Sequence, residues 1–133
     1  MDLEYRRVDF QPEEIKLLDF DNLSLNEKHY ILAIDATACE SLDVSYKNYE
    51  EGKLSLYKDG EIWKTYYSQD GKIYNEKCYE SLSHACEYLL SLTEQSARYV
   101  HYDLILDRSY DEEIINNGIE NIKERYKTPK KAL

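Results

Sequence analysis

The middle of the chain alternates apolar and polar residues between turn-forming pairs. Three apolar runs are separated by two Asp-Gly pairs, in the order residues 54–56, Asp59-Gly60, 62–67, Asp70-Gly71 and 73–79. Asp-Gly between apolar runs is a typical hairpin signal. The pattern therefore predicts an antiparallel β-meander. Because alternate strand residues share a face, we expect Tyr67 to lie beside Trp63 and to be more buried than Tyr66.

Apolar residues at helical spacing flank this meander. Pro12 and two acids before Ile15 and Leu18 predict a short helix, and Asn26 is a candidate cap for a second. The second helix carries Tyr30, Ile31, Ile34 and Ala38 on one face. A strand is the alternative prediction for residues 29–33. A third helix, capped by Ser81 or Ser83, has the stripe Leu82, Ala85, Cys86, Leu89, Leu90 and Thr93.

The C-terminal third gives one ambiguous and one clear pattern. Residues 98–106 alternate in a way that slightly favours a strand over a helix. Asp111 then heads a helix with acids in its first turn and bases in its last, and its stripe is Ile115, Ile119, Ile122 and Tyr126. Asn117-Gly118 interrupts that stripe. Residues from about 128 are expected to form a flexible, solvated tail.

Length and composition favour one folded unit. The 133 residues include 42% hydrophobic and 33% charged residues, which is ordinary for a globular domain. A chain of this size builds a core without disulfides, and Cys39, Cys78 and Cys86 indicate reduced thiols. We therefore predict a single α+β domain over residues 1–133, an antiparallel meander packed against helices.

Charge narrows the classes of partner. The chain has 17 Lys plus Arg and 27 Asp plus Glu, a net charge of −10. Residues 1–51 hold 13 of these acids and only 5 of the bases. Nucleic-acid binding depends on Lys and Arg, so we expect a basic protein partner and no nucleic acid.

The longest apolar run, 30–34, is too short for a membrane span. The acidic N-terminus predicts a cytoplasmic chain without a secretion signal.

Tyrosine dominates the aromatic residues, with 14 Tyr against two Phe and one Trp. Tyrosine combines a large contact area with a polar tip and is enriched at protein interfaces. Together with the acid clusters, it predicts a protein-binding surface. The candidate contact residues are Glu13, Glu14, Asp19, Asp21, Tyr46, Tyr49, Glu50 and Glu51.

Signals for catalysis or cofactors are weak. The four glycines do not form a phosphate-binding loop, and no serine has a nucleophile-elbow context. Cys78, His84 and Cys86 are poorly spaced for a metal, so we expect neither metal nor organic cofactor. His101, Asp103 and Asp107 would share one face of a strand. An acid on that face could orient the imidazole for catalysis, so a small hydrolase that uses these three residues is an alternative function.

A resemblance covers residues 42–92. Its elements are Leu42-x-Val44 before Tyr46, the strand 54–56, the aromatic strand 63–68 before a polar Gly turn, and the helix containing 85–90. These resemble toxin immunity proteins encoded beside bacterial polymorphic toxins, including those of contact-dependent growth inhibition. The resemblance implies an inhibitor, not an enzyme, that binds a toxin domain in the cytoplasm and blocks its active site or substrate path. Many such toxins are basic nucleases.

Two further possibilities accompany this reading. An acidic DNA mimic, acting as an anti-restriction inhibitor, is the alternative within the binding class. Its charge would run along the whole molecule, whereas residues 52–95 hold 7 acids and 5 bases. A homodimer is also compatible with the sequence.

Overall fold

A five-stranded sheet and four helices make up the computed structural model, which describes residues 4–94 and 96–127. The sheet contains β1 (Tyr5–Arg7), β2 (Val44–Ser45), β3 (Lys53–Asp59), β4 (Ile62–Gln69) and β5 (Lys72–Tyr79). Its order is β1-β5-β4-β3-β2, and all neighbours are antiparallel except β2 and β3. The predicted α+β fold is therefore confirmed, as is the meander β3-β4-β5.

Four helices pack beside the sheet. They are α1 (Leu25–Ile34), α2 (Leu82–Ser91), α3 (Ser96–Asp107) and α4 (Glu112–Lys127). Helix α1 contacts the other three, and α2 rests on β4 and β5. None of the helices in the described ranges is long and apolar enough to span a lipid bilayer. The predicted tail from residue 128 lies outside the described residues.

Helix α1 begins earlier than the sequence pattern predicts. Its cap is Ser24 rather than Asn26, and Ser24 forms a reciprocal capping box with Glu27 at 3.0 and 3.1 Å. The helix predicted after Pro12 is a single 3₁₀ turn, Pro12–Glu14. The third and last predicted helices are confirmed as α2 and α4, and their stripes are buried at Leu89, Ile119 and their neighbours.

The strand predicted for residues 98–106 is wrong, because this segment forms helix α3. Tyr102 is buried, while Ile105 and Leu106 are half-buried against the core. Spacings of three and four bring these residues to one helical face. Val100 and Leu104 are apolar too but point outward, and these added apolar positions produce the misleading alternation.

The expected order of burial of Tyr66 and Tyr67 is also wrong. Tyr66 is 4% exposed and Tyr67 is 37% exposed. Strand β4 pairs regularly with β3, so Trp63 and Tyr67 still share a face. On the opposite face, Tyr66 donates a hydrogen bond of 2.6 Å to the carbonyl of Asn48. The second face of the sheet is therefore covered around Tyr66, which the alternation alone did not indicate.

Gly118 lies where α4 approaches α1. A Cβ atom at this position would come within 2.7 Å of Leu32 Cδ2. We expect Gly118→Val to lower the free energy of unfolding by about 1–3 kcal/mol in urea denaturation, because the added methyls overpack this contact. Asn117→Val, at an exposed neighbouring position, is the matched control and should cost less. An equal loss in both variants would contradict the close approach.

Glu27 connects α1 to the sheet. Its carboxylate accepts hydrogen bonds from Trp63 Nε1 at 3.1 Å and from Lys58 Nζ at 3.3 Å. Burial raises the pKa of Glu27, but bonds from the Ser24 backbone, Trp63 and Lys58 outweigh it and leave the pKa below its ordinary value. The folded protein therefore favours the ionised form of Glu27 more strongly than the unfolded chain does.

Replacing Glu27 with Gln should lower stability by about 1–3 kcal/mol at pH 7, because hydrogen bonds to a charged acceptor become neutral ones. A lowered folded pKa stabilises the fold above the ordinary carboxyl pKa of about 4.3, and that contribution disappears as the pH falls through the folded pKa. The difference between wild type and Glu27→Gln should shrink in urea titrations below about pH 4. A difference independent of pH, or one matched by exposed Glu61→Gln, would contradict this role.

Candidate functional site

The chain after α1 widens into a π-helical turn, Asp35–Cys39, before a final turn at Glu40–Leu42. Thr37 is buried and donates its hydroxyl to the carbonyl of Ala33 at 2.8 Å. Asp43 ends the segment in the left-handed region at φ 54°. Single π turns occur frequently at functional sites. The π turn and the turn that follows it line a cleft with Asp35, Cys39 and Glu40.

Tyr46 forms the base of this region rather than its surface. Its side chain is 1% exposed, and its hydroxyl donates to Asp35 Oδ1 at 2.7 Å. The ring packs edge-on against Phe20, with 5.6 Å between centroids. The prediction that Tyr46 anchors a partner is therefore corrected, because its ring lies inside the protein. Its role is to hold the loop after β2 against the π turn.

Two further groups complete the base of the cleft. Arg125 Nη2 donates to Asp35 Oδ1 at 2.7 Å, and the Tyr126 hydroxyl accepts from the backbone nitrogen of Tyr46 at 3.0 Å. Burial raises the pKa of Tyr46 well above its ordinary value, and burial also raises the pKa of the Cys39 thiol. Both groups are protonated at neutral pH. Cys39 is therefore not a thiolate nucleophile.

The acidic cleft has a volume of about 830 Å³. It lies between the π turn, the loop from Asp43 to Lys53 and the end of α4. Five carboxylates and three cations line it, namely Asp35, Glu40, Asp43, Glu50, Glu51, Lys47, Lys53 and Arg125.

The three cations of the acidic cleft are already engaged. Lys53 pairs with Asp43 at 3.3 Å and with Glu50 at 3.4 Å. Lys47 lies over the Tyr126 ring, 5.8 Å from its centroid, and Arg125 holds Asp35. Glu40 is exposed and has no ion pair with another residue in the described ranges. The cleft therefore has more carboxylate charge than its own cations neutralise.

Hydrogen bonds of Asn48 join the N-terminal segment, which carries Glu13 and Glu14, to the loop that carries Glu50 and Glu51. Asn48 donates its amide to the carbonyl of Glu14 at 2.9 Å, and it accepts from the backbone nitrogen of Lys16 at 2.8 Å. Glu13 and Glu14 are exposed on this segment. Lys47, beside Asn48, lines the acidic cleft. We call Glu13 and Glu14 the acidic rim.

Tyr49 and Glu51 have structural partners at this edge. The Tyr49 hydroxyl donates to Glu51 Oε1 and accepts from the Gly71 nitrogen, both at 2.9 Å. The Glu51 carboxylate also accepts from the backbone nitrogen of Asp70 at 2.9 and 3.1 Å. Glu50 accepts from Ser45 Oγ at 2.6 Å. Tyr49 and Glu51 therefore tie the loop to the β4–β5 turn, while Glu51 stays exposed.

The remaining predicted acids, Asp19 and Asp21, lie farther along the N-terminal segment. Both are exposed. Asp21 pairs with Lys123 of α4 at 3.0 Å, and the hydrogen bond from Lys123 lowers the pKa of Asp21. Asp19 accepts a short hydrogen bond from Asn22. The structure therefore neutralises Asp21 but leaves Asp19 without a cationic partner in the described ranges.

Asp35, Glu40 and Asp43, together with the cations that face them, were not predicted as site residues from the sequence. The acids were visible in the sequence, but the cleft joins segments more than eighty residues apart, as Arg125 and Asp35 show. The sequence carried a local signal only at Asp43, because Asp is a residue type that tolerates the left-handed backbone conformation found there.

The other candidate sets are not assembled. On helix α3, His101 and Asp103 are two residues apart and point in different directions, so the hydrolase set loses the shared strand face on which it depended. Cys86 is buried, whereas Cys78 and His84 are exposed. Within residues 4–94 and 96–127, no three His, Cys, Asp or Glu residues are grouped to hold a metal ion.

Comparison of the chain with protein-family models, curated proteins and solved structures finds no match. The chemistry of the site is therefore inferred from its own side chains. The acidic cleft and acidic rim offer exposed carboxylates, hydrogen-bond acceptors and a concave shape. Such an arrangement can receive Lys or Arg side chains from another protein.

Proposed function

We propose that the chain is an immunity protein that binds and neutralises a basic bacterial toxin domain, with the acidic cleft and acidic rim as its contact surface. The observation that carries the proposal is the uncompensated carboxylate charge of the cleft, whose cations are already paired or stacked. A basic partner gains from this charge both in encounter rate and in charge complementarity.

The proposed mechanism is blockade and requires no catalytic step. A nuclease-like toxin has a basic substrate face, because it must bind phosphates. Covering that face with carboxylates excludes the substrate. The proposed site of action is the cytoplasm, where the toxin's substrate would be. Exposed acids such as Glu13 and Glu40 would steer the encounter, and Glu50 and Glu51 would meet cations at the cleft.

The architecture fits a rigid inhibitor surface. Tyr46 is buried below the cleft with its hydroxyl bonded to Asp35, while Tyr49 ties the loop to the neighbouring turn. A contact surface that is ordered before binding loses less conformational freedom on association. The carboxylates of Asp35 and Glu51 are therefore held in position before a partner arrives.

We expect a neighbouring gene to encode a large secreted protein with a variable C-terminal domain, and the test is co-expression of the chain with that domain. We expect the domain alone to stop growth and the chain to restore growth. We also expect the two purified proteins to elute together in size-exclusion chromatography. Absence of both protection and complex formation would overturn the proposal. Binding to a restriction enzyme in competition with duplex DNA would instead support the DNA-mimic alternative.

A further inference from the structure

Helix α3 has two apolar faces. Its inner face, with Tyr102, Ile105 and Leu106, packs against the core. On the outer face, Val100 is 59% exposed and Leu104 is 57% exposed, the two highest values for large apolar side chains within residues 4–94 and 96–127. Residues four apart lie on one helical ridge. An apolar ridge of this kind normally packs against another element.

Two carboxylates border this ridge. Asp103 and Asp107 are also four apart, and together with Val100, Leu104 and Leu106 they line a shallow cavity of about 480 Å³. Both carboxylates are exposed. Neither has an ion pair with another residue in the part of the chain that the structure describes. The ridge therefore combines unpaired negative charge with uncovered apolar surface.

We propose that this α3 docking face, formed by Val100, Asp103, Leu104 and Asp107, binds a cationic amphipathic helix of a partner protein. Apolar residues of the partner helix cover Val100 and Leu104, since apolar side chains at helical spacing interlock along such a ridge. Lys or Arg side chains beside them pair with Asp103 and Asp107.

Charge selects this occupant over a second copy of the chain. A two-fold contact through the α3 docking face would place the same surface on both sides. Each copy would then bring its own unpaired Asp103 and Asp107 into the same contact, and this accumulation of like charge opposes association. A basic segment faces no such repulsion. None of the four docking residues lines the acidic cleft, so the inference stands independently of the proposed function.

The test uses a fluorescein-labelled peptide of about 18 residues composed of leucine and lysine, with leucines at helical spacing. Fluorescence anisotropy measures its binding to the full chain. We expect Leu104→Ser to weaken binding about tenfold, because Leu104 is central to the ridge. Asp103→Asn with Asp107→Asn should weaken binding at low salt and have little effect at high salt, because exposed charges are screened.

Matched variants on other elements control for general charge and exposure. Ile62→Ser removes another exposed apolar side chain, and Glu61→Gln with Glu87→Gln removes the same charge. Binding in these variants should stay within about twofold of wild type, since a remote exposed contact carries little of the energy. Circular dichroism confirms folding of each variant. Equal losses in the α3 and control variants would overturn the proposal.

Two other outcomes would also overturn it. The first is equal binding of a peptide with the same composition in scrambled order, because charge alone would then account for binding. The second is a dimer of the chain that Leu104→Ser dissociates in analytical ultracentrifugation, because the occupant would then be a second copy.

Discussion

Replacing Trp63 with Ala is expected to lower the free energy of unfolding by about 3–5 kcal/mol, the typical loss for a fully buried large aromatic side chain. Trp63 is 1% exposed and belongs to the core that α1 and α2 build with the sheet. Its indole nitrogen also donates to Glu27. The truncation therefore leaves both a cavity and a weakened connection to α1. Urea denaturation followed by far-ultraviolet circular dichroism measures the loss.

The neighbouring residue supplies the control. Ile62 is 36% exposed on the same strand, so Ile62→Ala should cost less than about 1 kcal/mol. Trp63→Phe should fall between the two, because it keeps most of the apolar volume but lacks the indole donor. A loss for Trp63→Ala no larger than that for Ile62→Ala would contradict the assigned core.

The meander was predictable because its signals are local. Gly60, Asp70 and Gly71 all have positive φ, from 53° to 72°, which is the geometry that Asp and Gly tolerate in tight hairpins. The apolar stripe of α2 is equally local and needs only helical spacing. These elements follow from residues close together in sequence.

Helix α3 was mispredicted because its periodicity mixes two faces. Tyr102 faces the core while Val100 and Leu104 face outward, so apolar residues recur at intervals that also suit a strand. The prediction that Tyr66 is less buried than Tyr67 failed for a related reason. Its cover comes from the segment around Asn48, and no local pattern indicates that a second face of the sheet is covered.

The candidate site was predictable only in part. The exposed acids Glu13 and Glu14 and the loop acids beside Tyr49 follow from charge clustering. Tyr46 does not, because its burial depends on partners from the π turn and from α4. Sequence distinguishes an aromatic anchor from a core tyrosine poorly, since both combine apolar area with a polar tip.

Reversing Glu13 and Glu40 to Lys is expected to slow association with the basic toxin domain by about 10- to 100-fold at low salt, because long-range attraction accelerates encounter. Both side chains are exposed, and neither accepts a hydrogen bond or ion pair from another described residue, so the fold should be retained. Stopped-flow or surface-plasmon-resonance kinetics measure the association rate. The effect should largely disappear at high salt, where screening acts over a few ångströms.

A second double reversal separates local steering from net charge. Glu61→Lys with Glu87→Lys changes the total charge of −10 by the same amount, but these two acids lie on the β3–β4 turn and on α2. If the acidic cleft and acidic rim steer the partner, this control should slow association less than the Glu13 and Glu40 pair. Dissociation should change little in either variant, because rim charges act mainly on the association rate. Equal slowing by the two pairs would place the steering in the charge of the whole molecule, and unchanged association in both would remove this surface as the interface.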